Sequence, residues 1–193
     1  MDAYVSALTI LPEAFRLIGR RPLTVLDFGC GDGSWLRAAA TLGVFGAVGC
    51  DVREPGAVKL PRTAQYIQKD LLRDPGGLVE AEAFDLVVCV EVAEHIPFDL
   101  SGRLVEILTG NTRGPVLFSA APPGQGPYPP PGTPVEESWP WHVNEQEPGF
   151  WEALFQARGF FPDDRIGDRI KYAPLIDPWY RTNVRMFFRG EEP

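Results

Sequence analysis

Short, near-continuous apolar runs alternate along the chain with segments in which apolar residues recur every three or four positions. Thr24–Phe28, Ala47–Val52, Ala64–Ile67, Phe84–Val90 and Pro115–Ala120 read as strands, and Ser34–Leu42, Ser101–Leu108 and Phe150–Arg158 as helices. Strands that are apolar at every position, rather than at every second one, require cover on both faces, and helices between them supply it. The expected fold is therefore α/β, a doubly wound, mostly parallel sheet. Near the start, Ala14, Phe15 and Ile18 suggest a helix with Pro12 in its first turn and Gly19 as its stop. At the far end, Phe160–Ile166 and Val184–Phe188 are two further strands with no convincing helix between them, which suits an antiparallel edge.

With 193 residues, 45% of them apolar, the chain has the size and content of one domain with one sizeable core, spanning 1–193. It shows neither a secretory leader nor a run of about 18 apolar residues, so a cytoplasmic protein without a membrane span is expected. Cys30, Cys50 and Cys89 are odd in number, far apart and each in or beside a strand, which reads as three buried reduced thiols. A net charge of −8 without a Lys/Arg cluster argues against long nucleic acids as partners.

One segment breaks the alternation. Residues 122–140 and their continuation hold more than a third of the chain's 20 prolines, and proline can join neither a ladder nor a helix interior. A long, stiff loop is expected there. It leaves the sheet edge where doubly wound folds bind ligands, and Tyr128, Trp139 and Trp141 favour a cover over a substrate against a passive insertion.

Candidate chemistry concentrates at the strand ends. "TVLDFGCGDGSWL" is a strand running through Gly29, Gly31 and Gly33 into a helix, so backbone can approach a ligand closely there. A dinucleotide fingerprint would place its third glycine at Ser34. Asp27 and Asp32, moreover, set negative charge beside the loop, which disfavours a pyrophosphate and favours a ligand with cationic or hydroxyl donors.

This stretch, with "VGCDV", "QKDLL", "FDLVVCVEVAEHI" and "PVLFSAAPPGQG" in that order, resembles the class I S-adenosylmethionine-dependent methyltransferases over nearly the whole chain. The resemblance implies a seven-stranded Rossmann-like sheet with a reversed last strand. It implies a cofactor site made by Asp27, Gly29, Cys30, Gly31, Asp51, Val52, Asp70, Leu71, Val90 and Glu91, with Asp51 on the ribose hydroxyls and Asp70 near the adenine amine. An aspartate at a strand end is also a common cap or turn residue.

"CVEVAEHIP" crowds Glu91, Glu94 and His95 where the fourth strand surfaces; a helical turn there would put all three on one face. Oxygen and imidazole donors together suit a divalent Mg, Mn, Fe or Zn ion, and His142 is the only other histidine. Glu-x-x-Glu-His followed by a later His resembles the metal set of small-RNA 3′-terminal 2′-O-methyltransferases, and its first part resembles ubiquinone-pathway O-methyltransferases. Two other readings stand beside a metal at Glu91, Glu94, His95 and His142: acid–base catalysis by His95 with Glu91, and structural support of the cofactor pocket. The function expected is O-methylation of a small hydroxylated molecule. The alternatives are metal-dependent methylation of an RNA 3′ terminus and a cofactor-binding protein that does not methylate.

Overall fold

The computed structural model describes residues 2–70, 73–74, 83–131 and 141–190. Leu71, Trp139 and residues 132–140 of the proline-rich segment lie outside them.

Helix α1, Ala3–Ile18, begins where the Asp2 carboxylate accepts the Tyr4 N–H at 2.9 Å, and stops at Gly19, whose φ of 78° is left-handed. Pro12 lies inside this helix and not in its first turn. The helix starts nine residues before the proline, because Ser6, Ala7, Ile10 and Leu11 extend its buried stripe toward Asp2. That packing outweighs the hydrogen bond proline removes.

The strands are β1 (Thr24–Phe28), β2 (Gly46–Asp51), β3 (Ala64–Gln68), β4 (Leu86–Val90), β5 (Val116–Ser119), β6 (Phe160–Asp163) and β7 (Arg185–Arg189). They form one sheet in the order β3-β2-β1-β4-β5-β7-β6. β1 to β5 pair in parallel, whereas β7 runs antiparallel to both β5 and β6. The doubly wound sheet with its reversed last strand is thus the observed architecture. Between β6 and β7 stand two short helices, α5 (Arg165–Ile170) and α6 (Tyr180–Asn183), where no helix was expected. Six and four residues are too few to display a helical period in sequence.

Successive strand residues feed opposite faces. Val25, Leu86, Val88, Leu117 and Met186 pack with α1, α5 and α2 (Ser34–Thr41). Leu26, Val87, Cys89, Phe118 and Phe187 pack with α3 (Ser101–Gly110) and α4 (Pro148–Gln156). Every residue of β4 is buried, as the unbroken apolar run required. At the strands' amino ends, the buried Asp85 carboxylate accepts the Leu23 and Thr24 N–H groups at 2.8 and 3.1 Å and pairs with Arg20 and Arg113. Burial alone would raise its pKa, but these donors outweigh it and hold the group well below the usual carboxylate range. Polar chemistry at that end is therefore neutralised within the fold, and the carboxyl ends of the strands carry the cavities. Among the described residues, no helix is long and apolar enough to cross a membrane.

Candidate functional site

A cavity of about 500 Å³ opens at the carboxyl ends of β1, β2 and β4. Its wall includes Gly29, Cys30, Gly31, Asp51, Val52, Asp70, Val90 and Glu91, which come from four separate strand ends. The loop after β1 bends over β2 because the Gly29 and Cys30 N–H groups both donate to the Cys50 carbonyl, at 2.8 and 3.1 Å. Gly31 has φ 56°, and a Cβ built on it would meet nothing nearer than an Arg53 guanidinium nitrogen at 4.0 Å. The space a side chain would fill is the cavity itself.

Asp51 accepts the Gly31 N–H at 2.8 Å through Oδ2 and the Arg53 N–H at 3.1 Å through Oδ1. It fixes the glycine loop from the floor of the cavity. Asp70, at the rim, accepts from Arg73, and Val52 is 58% exposed. Asp27 lies behind the loop, 3% exposed, with Oδ2 lacking a hydrogen-bond partner among the described residues. Burial, then repulsion from Asp51 and Asp32, pushes its pKa up to about 8. Cys30, Cys50 and Cys89 are buried and unpaired, as expected.

A second cavity, about 710 Å³, adjoins the first and shares Glu91, His95 and Tyr180 with it. Glu94, His95, His142, Gln125, Gly126 and Trp179 complete much of its wall. Here Glu94, His95 and His142 each offer one ligand atom, all within 4.8 Å of one another. Backbone bonds bring them together: the Glu94 carbonyl accepts the N–H groups of Val143 and Asn144 at 2.9 and 3.0 Å, drawing the His142 segment onto the end of β4. Each imidazole is oriented through Nδ1, His95 by the Trp141 carbonyl at 2.9 Å and His142 by Glu145 Oε1 at 2.6 Å. A carbonyl can only accept, so His95 carries its proton on Nδ1 and presents a lone pair at Nε2. Burial lowers the His95 pKa, against the opposing pull of the Trp141 carbonyl. Glu94 is 1% exposed, and its Oε2 has no hydrogen-bond partner among the described residues. Burial and the nearby Glu91 raise its pKa.

Glu91 does not join that group. The turn after β4 is not an α-helix: Glu91 has φ 55°, and only Ala93–His95 forms a short 3-10 turn. The three side chains therefore do not share a helical face. A non-glycine residue in the left-handed region costs about 1–2 kcal/mol, and such strain is typical of functional sites. Ser119 holds Glu91 there, its Oγ accepting the Glu91 N–H at 3.1 Å while its hydroxyl donates to Oε1 at 2.7 Å. Asn183 Nδ2 donates to the same Oε1 at 3.4 Å.

The family model described as a methyltransferase domain matches residues 4–113, more than half of the 193. The chain belongs to this family. Membership carries S-adenosylmethionine-dependent methyl transfer as the activity class, the one the motif order implied.

Three solved structures share the methyltransferase's fold. The sugar N-methyltransferase of a Streptoalloteichus species matches with TM-score 0.68 and 15% identity, over 97% of this chain and 88% of that one. Magnesium protoporphyrin IX methyltransferase from Synechocystis, with bound SAM, matches at 0.65 and 17% identity, over 97% and 80%. The Burkholderia thailandensis 1,6-didemethyltoxoflavin-N1-methyltransferase, with bound 1,6-didemethyltoxoflavin and S-adenosylhomocysteine, matches at 0.63 and 16% identity, over 98% and 79%. Among curated protein sequences no match is found.

Two features of the methyltransferase fit the cofactor without reference to any relative. A Cβ on Gly31 would meet open cavity, and behind the loop the buried Asp27 carboxylate keeps an orphaned oxygen, while the expected ligand carries an ammonium and a sulfonium. An unpaired buried carboxylate also weakens the fold. Above pH about 4 an unfolded aspartate has lost its proton, while folded Asp27 keeps its own until pH about 8, so the folded state binds more protons across this window and stability falls as pH rises. Asp27→Asn should therefore flatten that decline in urea midpoints of the cofactor-free protein while weakening S-adenosylmethionine binding in calorimetry.

Sequence reasoning overlooked Tyr180 and Glu145. Tyr180 reaches both cavities from a four-residue helix near the chain's end, and no local pattern marks it. Glu145 was legible as the carboxylate three residues after His142.

Proposed function

We propose that this methyltransferase acts on an oxygen of a small hydroxylated acceptor, held by a divalent cation at Glu94, His95 and His142. The observation that carries the reading is the placement of this trio in the wall of a second cavity that shares Glu91, His95 and Tyr180 with the cavity of the glycine loop. When bound, S-adenosylmethionine supplies an electrophilic methyl group. The chain's own work is then alignment and proton removal. Gly31 would leave room for the methionyl part, Asp27 behind the loop would give up its proton to face the ammonium, and Asp51 and Asp70 would serve the ribose and adenine polar groups. Val52, Val90 and Cys30 form the apolar wall.

A cation at the trio would orient the acceptor and ease loss of its hydroxyl proton. With His95 engaged as a ligand, Glu91 is the carboxylate on the shared wall suited to take that proton. Without a cation, His95 is the base, its neutral ring already fixed by Trp141. Support for a small acceptor comes from the size of the second cavity and from relatives named for a sugar and for magnesium protoporphyrin IX. The net charge of −8 speaks against an extended RNA footprint.

The test is tritiated methyl transfer to a panel of catechols, sugars, amines and short RNAs, with Mg²⁺, Mn²⁺, Fe²⁺ or Zn²⁺ and with chelator. Cation-dependent labelling of a hydroxyl on a small molecule is the expected result. Labelling confined to amines and indifferent to chelator would overturn it, and labelling of a terminal ribose would move the assignment to RNA ends.

A further inference from the structure

The Glu145 side chain is 5% exposed, and each of its oxygens accepts two hydrogen bonds. Oε1 accepts His142 Nδ1 and the Gly126 N–H, each at 2.6 Å. Oε2 accepts the Gly124 N–H at 2.7 Å and the Tyr128 hydroxyl at 2.5 Å. One carboxylate therefore ties the imidazole of His142 to a strap of five residues, Gly124–Tyr128. The strap is fastened at two further points. The Pro127 carbonyl accepts the His142 N–H at 2.7 Å, and Gln125 Oε1 accepts Asn183 Nδ2 at 3.2 Å, the same amide that reaches Glu91. Gln125 and Gly126 wall the second cavity beside His142.

We propose that Glu145 is a positioning residue that couples cation binding at Glu94, His95 and His142 to the ordering of the strap Gly124–Tyr128 over the acceptor cavity. The inference rests on the cation site argued above. Its physical basis is the geometry of one shared acceptor. Holding the Nδ1 proton of His142 on Glu145 directs Nε2 to the cation, and a cation on Nε2 makes the Nδ1–H a stronger donor. The carboxylate is then fixed in the pose in which its remaining lone pairs meet the Gly124 and Gly126 N–H groups and the Tyr128 hydroxyl. Coupling of this kind is reciprocal: whatever the cation does to the strap, the strap's contacts do to cation affinity. The wall of the acceptor cavity would thus be held more firmly when the ion that holds the acceptor is present.

Manganese serves as the probe, on the full-length protein. Binding is followed by electron paramagnetic resonance, and strap order by hydrogen exchange of the peptide covering 122–131. In the wild type, Mn²⁺ should slow exchange at the Gly124 and Gly126 amides about tenfold. Glu145→Gln should weaken Mn²⁺ about ten- to a hundredfold and abolish the metal-dependent protection. Tyr128→Phe removes a strap contact at an exposed side chain without touching His142, so it keeps the test informative if Glu145→Gln folds poorly. Reciprocity predicts about two- to tenfold weaker Mn²⁺ binding in it. Wild-type Mn²⁺ binding with unchanged strap exchange, or with unchanged affinity in both variants, would overturn the coupling and leave the cation site standing. Failure of the wild type to bind Mn²⁺ would remove the cation site and the coupling together.

Discussion

Gly31→Val is expected to lower S-adenosylmethionine affinity at least about a hundredfold, close to 3 kcal/mol, while the protein still folds. Two effects add. The residue holds φ 56°, where a β-branched side chain costs about 1–2 kcal/mol, and its Cβ would point into empty cavity, with one Arg53 nitrogen at 4.0 Å as the nearest neighbour. Folding therefore meets modest strain and no clash, but the ligand loses the volume that the two methyl groups take. Gly29→Ala makes an instructive contrast. Its Cβ would fall 2.5 Å from Val92 Cγ2, so the cost appears as lost stability and not as a specific loss of binding. Titration calorimetry with S-adenosylmethionine, beside thermal unfolding of both variants, separates the two. Wild-type affinity in a folded Gly31→Val protein would remove the loop from the cofactor site.

Glu94→Gln should weaken Mn²⁺ binding at the trio by about a hundredfold or beyond, more than the ten- to hundredfold typical of outer-shell partners. The amide keeps the volume of the side chain but removes a carboxylate oxygen donor from between the two imidazoles. Cofactor affinity should stay near wild type, because Glu94 lines the second cavity and not the first. Cation-stimulated turnover should fall with Mn²⁺ affinity. If His95 removes the proton directly, the pattern inverts: chelator leaves turnover intact, Glu94→Gln is tolerated, and His95→Asn lowers turnover with little change in cofactor binding.

The parallel core of the fold was legible because burial on both faces leaves a plain trace. β4 and β5 are apolar at nearly every position, as strands covered on both faces require. The glycine loop was legible for a related reason, since three glycines within five residues mark backbone that must turn and approach something. What sequence could not supply were features set by contacts between distant segments. Pro12 sits mid-helix because burial of residues far before it extends α1. Glu91 departs from helical geometry because Ser119, on the neighbouring strand, holds it at positive φ. That one torsion breaks the helical face on which chain spacing alone had grouped Glu91 with Glu94 and His95. His142, by contrast, does reach Glu94 and His95, across a loop whose length says nothing about where it returns.

The central claim is that the cofactor cavity and the Glu94, His95 and His142 trio form one reaction centre. It is tested most directly, and without knowing the acceptor, by nuclear magnetic resonance of S-adenosylmethionine carrying a ¹³C-labelled methyl group. Bound Mn²⁺ should broaden the methyl signal of the enzyme-bound cofactor strongly in the wild type and not in Glu94→Gln. A protein that binds both Mn²⁺ and cofactor but leaves the methyl signal equally sharp in both forms would contradict the account.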